Sequence, residues 1–115
     1  MDDYPLRKAE KRSEKEFHVA PMVAVSYPEF RYWMRLFTKR AIVWTDMMVA
    51  NTLVFGTHYS MNLNYEVEHP VVAQVGGNNP EEIYEAACQM VDAGFDEINL
   101  NAECPSKLVT TKHQF

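Results

Sequence analysis

Two kinds of side chain in this 115-residue sequence suit work on a flat polar molecule: the carboxamides of Gln74, Asn99 and Asn101, and the thiol of Cys104. A carboxamide donates and accepts hydrogen bonds at once. A thiol, with an ordinary pKa of about 8.5, holds its proton at neutral pH yet can still give it up. Ile98 and Leu100 alternate with Asn99 and Asn101, which predicts a short strand ending at Asn101 with both amides on one face. Cys104 then falls in the loop just past that strand's C-terminal end. Pro105 lacks a backbone donor and restricts the residue before it, so it fixes the direction of the thiol. A buried strand with a polar end and an ordinary turn cysteine would leave the same pattern.

The elements needed to hold these groups can be read around them. In Pro70–Gly77, Val71, Ala73 and Val75 share one face of a strand, while Val72 and Gln74 share the other. Gln74 is therefore a second inward amide at a strand's end, and Gly76-Gly77 permits close approach of the backbone. A core glutamine satisfied by its neighbours is the alternative. Phe17–Ala20 reads as a first strand ended by Pro21, and Ala41–Thr45 as a second. His18, beside the first strand, reads as a ligand or as a structural histidine. Asp46–Phe55 reads as a short helix stopped by Gly56, and Thr57–His69 as a loop.

Two longer helices are predicted. Ser26-Tyr27-Pro28-Glu29 has the form of a capping box ahead of an apolar stripe of Phe30, Trp33, Met34 and Phe37. Arg31, Arg35 and Lys39 then lie on another, solvated face, with Lys39 and Arg40 at the negative end of the helix dipole. Asn79 is the expected N-cap of the other helix, with Pro80 in its first turn, Gly94 at its end and an apolar stripe of Ile83, Ala87, Met90 and Val91. Cys88 sits beside that stripe as a small packing residue. The order β-α-β-α-β-α-β argues for a parallel α/β arrangement.

The run Asn99-Leu100-Asn101-Ala102-Glu103-Cys104-Pro105-Ser106 resembles the Asn-Leu-Asn-x-x-Cys-Pro-Ser signature of the tRNA-dihydrouridine synthases. Pro21-Met22-Val23 after the first strand and Gln74-Val75-Gly76-Gly77 resemble two further elements of that family, and the likeness extends over roughly residues 17–109. It implies an incomplete (β/α)8 TIM barrel of about the first four βα units in residues 17–115; residues 1–16, charge-rich and poor in large apolar side chains, read by composition as a disordered tail or a frayed, solvated helix. It further implies FMN as cofactor, NADPH as reductant and uridine in tRNA as substrate, reduced to 5,6-dihydrouridine. By residue, Pro21, Met22, Val23 and Gln74 match cofactor-binding positions, Asn101 a substrate-binding position, and Cys104 the catalytic cysteine that protonates C5 of the uracil. The rest of the barrel and the family's helical domain would be needed for full function, so the chain alone is expected to be inactive.

The family usually has Gly where Glu103 stands. Were that backbone left-handed, Glu103 would be strained by roughly 1–3 kcal/mol, and its carboxylate would favour the neutral thiol. Two other readings share these residues: an FMN-dependent reductase of a small pyrimidine or enone, and a non-catalytic half-barrel that serves as an interaction module.

Composition narrows the field less. The net charge of −5 argues against a generic nucleic-acid binder, and residues 1–16, with five basic and five acidic side chains, cancel. No apolar run approaches the roughly 20 residues of a membrane span. Two cysteines make neither a disulfide framework nor a metal-ligand motif. The expected setting is cytoplasmic, with no membrane partner and no metal.

Overall fold

Strands and helices alternate along the chain: β1 (His18–Val19), α1 (Pro28–Phe37), β2 (Ile42–Val49), α2 (Ala50–Phe55), β3 (Val71–Gly76), α3 (Pro80–Ala93) and β4 (Glu97–Leu100). The computed structural model describes residues 15–56, 61, 63, 64 and 66–104. Nearly all of the expected charged tail lies outside these residues, as do Thr57–Ser60, Pro105 and Ser106.

The four strands form one parallel sheet in the order β1-β2-β3-β4, each neighbouring pair joined by a helix-bearing crossover. The fold is α/β, as the alternation predicts. In the register Val43 stands opposite Val71, and Ala73 opposite Ile98, so these residues face one side together. That side is the core: Val43, Met48, Val71, Ala73 and Val75 meet Ala50 and Leu53 of α2, Ala86 and Met90 of α3, and Phe95. Each fully buried aliphatic side chain there contributes about 1.5–3 kcal/mol. Met34 of α1 packs against the same cluster, so the helices share one face of the sheet. The opposite face carries Trp44, Met47, Val72, Gln74 and Asn99. No helix among the described residues is long and apolar enough to cross a membrane.

The ends of α3 are built as its sequence predicts. The Asn79 side chain accepts from the backbone N–H groups of Glu81 and Glu82, Pro80 occupies the first turn, and Gly94 closes the helix at φ 97°. The buried stripe is turned by one position, however. Ala86 and Met90 are the buried residues, Ile83 packs beside them, and Val91 is exposed. The spacing of Ile83, Ala86 and Met90 follows the same face of a 3.6-residue helix, which leaves Val91 past its edge.

In α1 the expectation holds for Met34, which packs against the core, and is reversed for the arginines and for Trp33 and Phe37. Arg31 and Arg35 are 3% and 6% exposed, whereas Trp33 and Phe37 are 56% and 71% exposed. The two aromatic rings meet edge to face outside, with centroids 5.3 Å apart. The arginines are drawn in by partners far away in sequence. Arg31 Nε donates to Glu68 Oε2 at 2.6 Å, and Arg35 donates to the carbonyls of Ala41, Glu68 and Pro70. Those carbonyls lie where β2 and β3 begin, and a guanidinium with five donors can serve several at once. Burial pulls the Arg35 pKa below its ordinary value, with Glu68 and Asp96 opposing the shift. The capping box does not form either. Tyr27 is the N-cap without a side-chain bond, and the Ser26 hydroxyl accepts from Met22 N–H instead. The helix ends at Phe37, so Lys39 and Arg40 lie beyond it and Arg35 is the basic residue of its last turn.

The second strand is longer than its sequence suggests. β2 runs on to Val49, and only Ala50–Phe55 is helical. Trp44 pairs with Val72 but Met47 with Gln74, so β2 holds one extra residue, a β-bulge. The backbone N–H of Gln74 donates to the Thr45 hydroxyl at 3.0 Å, and that hydroxyl donates on to the Asp46 carbonyl. The hydroxyl stands in for a ladder carbonyl, and the strand continues past the bulge. Gly56 ends α2 as expected, though at φ −76°; a Cβ there would collide with the Thr52 carbonyl oxygen. The described residues of the 57–69 stretch belong to no helix or strand, and one of them, Glu68, is fully buried.

Candidate functional site

A cavity of about 300 Å³ lies at the C-terminal ends of the strands, lined by Pro21, Val23, Met47, Gln74, Asn101, Glu103 and Cys104. Four separate segments supply this lining: the β1–α1 loop, β2, β3 and the turn after β4. The arrangement follows from the sheet, since parallel strands point their C-terminal ends to one rim.

Gln74 forms the polar floor. It is 8% exposed, stands between Met47 and Asn99 in the sheet, and is held by both neighbouring amides. Its Nε2 donates to Asn99 Oδ1 at 3.0 Å, and its Oε1 accepts from Asn101 Nδ2 at 3.1 Å. The oxygen of Asn101 accepts in turn from the backbone N–H groups of Glu103 (2.9 Å) and Cys104 (3.1 Å). Cys104 is half-buried with a free thiol.

The wall made by Pro21 and Val23 is folded back on itself. The Met22 carbonyl accepts from Val25 and Ser26 N–H, Met22 N–H donates to the Ser26 hydroxyl, and Ala24 turns the chain at φ 60°. Ser26 is buried, and its carbonyl accepts from Arg31 Nη1 at 2.7 Å. The buried Arg31–Glu68 pair therefore anchors this wall. On the other side, the bulge decides which residue of β2 faces Gln74. Without the extra residue Asp46 would stand opposite it; with the bulge, Met47 does. Asp46 is half-buried nearby, and burial pushes its carboxyl pKa up, against the lowering effects of a backbone hydrogen bond and of Arg31.

Of the residues singled out in the sequence, Pro21, Val23, Gln74, Asn101 and Cys104 come together at this cavity. Met22 does not line it: its backbone ties the loop, and its side chain is exposed. Glu103 does line the cavity, but its backbone is not left-handed. Ala24 is the non-glycine residue with positive φ among the described residues, so the strain expected of Glu103 is absent. Met47 was hidden by the helix its sequence suggested, and no local signal marks a bulge whose stitch is Gln74. His18 is engaged at the start of β1, where its Nδ1 accepts from Trp44 Nε1 at 3.0 Å. Cys88 lies on α3, half-buried and outside the cavity lining.

Known proteins resemble this chain in sequence. A family model described as Dihydrouridine synthase (Dus) matches residues 18–114. The tRNA-dihydrouridine(20/20a) synthase of Shewanella oneidensis is 35% identical over 99 residues, covering 86% of this chain and 29% of the relative. That of Vibrio parahaemolyticus is 40% identical over 91 residues, covering 79% and 28%, and that of Synechocystis is 39% identical over 92, covering 79% and 27%. The chain thus spans less than a third of the length of these relatives. With the whole sheet and its rim inside the matched region, the chain belongs to the dihydrouridine synthase family.

Proposed function

We propose that this chain forms about the first four βα units of a (β/α)8 barrel that reduces uridine in tRNA to 5,6-dihydrouridine, with FMN as cofactor and NADPH as reductant. One observation carries the reading: the Cys104 thiol and the carboxamides of Gln74 and Asn101 share a single cavity at the strand C-terminal ends, lined otherwise by Pro21, Val23, Met47 and Glu103, where such barrels keep their chemistry. The residues suit a flat heteroaromatic ring. Pro21, Val23 and Met47 give apolar contact. Gln74 keeps one N–H and one lone pair beyond those committed to Asn99 and Asn101.

Reduced FMN, when bound, supplies the hydride that adds to C6 of the uracil. The chain's own part is to exclude water from the base, fix its orientation and deliver a proton. A base within a folded tRNA must be extruded to reach such a pocket. Cys104 Sγ–H gives its proton to C5 as the C5–C6 double bond becomes single, and the thiolate is then reprotonated from solvent. Hydride and proton together balance the reduction.

The test is a chimera in which this chain replaces the matching segment of the Vibrio parahaemolyticus relative. It should form dihydrouridine in tRNA under NADPH. Cys104→Ala should lower that rate by about 100-fold or more, within the range of general acid contributions, with flavin absorbance unchanged. Cys88→Ala should leave both unchanged. Full activity in the Cys104 variant would remove the assignment, and turnover of free uracil in place of tRNA would move the substrate to small pyrimidines.

A further inference from the structure

We infer that Asn101 is a positioning residue that couples the cofactor-facing amide of Gln74 to the backbone of the Cys104 turn, so that what Gln74 binds sets how firmly the cysteine is held. Its consequence for uridine reduction rests on the proposed role of Cys104; the coupling itself does not.

Two groups at the turn have a fixed polarity. Backbone N–H groups only donate, and both Glu103 N–H and Cys104 N–H point at Asn101 Oδ1, at 2.9 and 3.1 Å. The oxygen of this amide must therefore face the turn, although amide oxygen and nitrogen are otherwise easily exchanged. Its nitrogen then faces Gln74, which must present Oε1, at 3.1 Å. Gln74 is left with Nε2 toward Asn99, whose oxygen accepts at 3.0 Å. One turn thus sets the direction of three amides in a row, and the order runs equally well in reverse. A ligand edge that turns Gln74 over would set its Nε2 against Asn101 Nδ2, and Asn101 could answer only by releasing the turn.

Asn101 is well placed to transmit this. Its backbone N–H donates to the Val75 carbonyl at 2.8 Å, the last link between β3 and the end of β4. Its main chain is thereby fixed to the sheet, while its side chain holds the segment that leaves the sheet. Both lone pairs of Oδ1 are used, and one Nδ2 hydrogen is committed to Gln74. A single N–H is left for any substrate, so the larger part of this side chain's bonding is internal.

The experiment is amide hydrogen exchange, by NMR, on the 115-residue chain. Asn101→Ala should speed exchange at Glu103 and Cys104 by about tenfold or more, with the β3 and β4 amides of Ala73 and Ile98 unchanged. Asn101→Asp keeps one oxygen for the turn and offers the other to Gln74, which can turn over and donate Nε2 to it, so exchange should remain within about threefold of the parent. The decisive variant is Gln74→Met, since the Gln74 side chain bonds Asn99 and Asn101 and not the backbone of the turn. It should speed exchange at Glu103 and Cys104 several-fold, and Gln74→Glu, still able to accept from Asn101, should restore the protection. Should Gln74→Met disrupt the sheet, seen as lost protection at Ala73 and Ile98, Gln74→Asn replaces it, its shorter amide falling short of Asn101. Parent rates at Glu103 and Cys104 in the Gln74 variant would reduce Asn101 to a local cap and overturn the coupling. Parent rates in Asn101→Ala would overturn the positioning role as well. Neither reading involves uridine, so failure here leaves the Cys104 assignment standing, and failure of the chimera leaves the coupling standing.

Discussion

Helices α1 and α3 cover the same sheet by opposite means. α3 buries Ala86 and Met90 and caps itself with Asn79 and Gly94, all within its own sequence. α1 buries Arg31 and Arg35, leaves Trp33 and Phe37 in solvent, and takes no side-chain cap. The first is held by apolar area. The second is held by charge-assisted hydrogen bonds to Glu68 and to the backbone where β2 and β3 begin. The difference shows at the cavity. α3 packs against the sheet and α2, whereas α1, through Arg31 and Ser26, ties down a loop that lines the cavity. An apolar contact would hold such a loop without direction; a guanidinium fixes both distance and orientation.

The sharpest way to break this comparison is to remove one partner of the buried pair. Arg31→Met should destabilise the chain by about 3–5 kcal/mol, because Glu68 stays buried without its ion-pair partner, keeping the Asn64 N–H and the charge of Arg35 but nothing at Oε2. Adding Glu68→Leu should recover part of that loss, since the orphaned charge goes with it. Urea unfolding midpoints of the single and double variants measure both. A double variant no better than the single would mean that Arg31 acts only through the Ser26 carbonyl. On the α3 side, Met90→Ala should cost about 2–5 kcal/mol from a fully buried position, with no recovery available from any charge change.

The same contrast explains what could be read from the sequence. The caps of α3 were legible because Asn79, Pro80 and Gly94 act on neighbours one to four residues away. The strand-end amides and Cys104 were legible for a like reason: alternation sets their face, and Asn101 bonds residues two and three ahead of it. Periodicity found a stripe on α1 but could not say which stripe goes inward, since Glu68 lies 37 residues from Arg31. The bulge in β2 escaped for the same cause, its stitch running from Gln74 to Thr45 across 29 residues. Where a polar group's partner is distant, the sequence alone favours the apolar alternative, and here the polar groups won.

A milder substitution sharpens the picture of α1. Phe37→Gln should change stability by only about 0.5 kcal/mol, because the ring is 71% exposed and loses little besides its edge contact with Trp33. A loss comparable to that of Met90→Ala would place the aromatic face in the core after all. The same urea series reads it.

The smallest expected effect, at Asp46, reports whether the charge of Arg31 reaches the rim. Burial raises the Asp46 pKa above its unfolded value of about 3.9, and Arg31 opposes the rise. A raised carboxyl binds its proton more tightly in the folded chain. Its contribution to stability is therefore full below pH about 4 and is lost as pH climbs through the folded value. At neutral pH the ionised group is disfavoured, so Asp46→Asn should stabilise the chain slightly, within the ~0.5 kcal/mol range of partly exposed sites. That gain should vanish as pH falls below about 4. In the Arg31→Met, Glu68→Leu background the opposing charge is gone, so the gain at neutral pH should grow and its loss should begin at a higher pH. Unfolding midpoints between pH 3 and 7 for the four chains decide it. A gain that ignores the Arg31 background would confine the guanidinium's influence to Glu68 and the loop it holds.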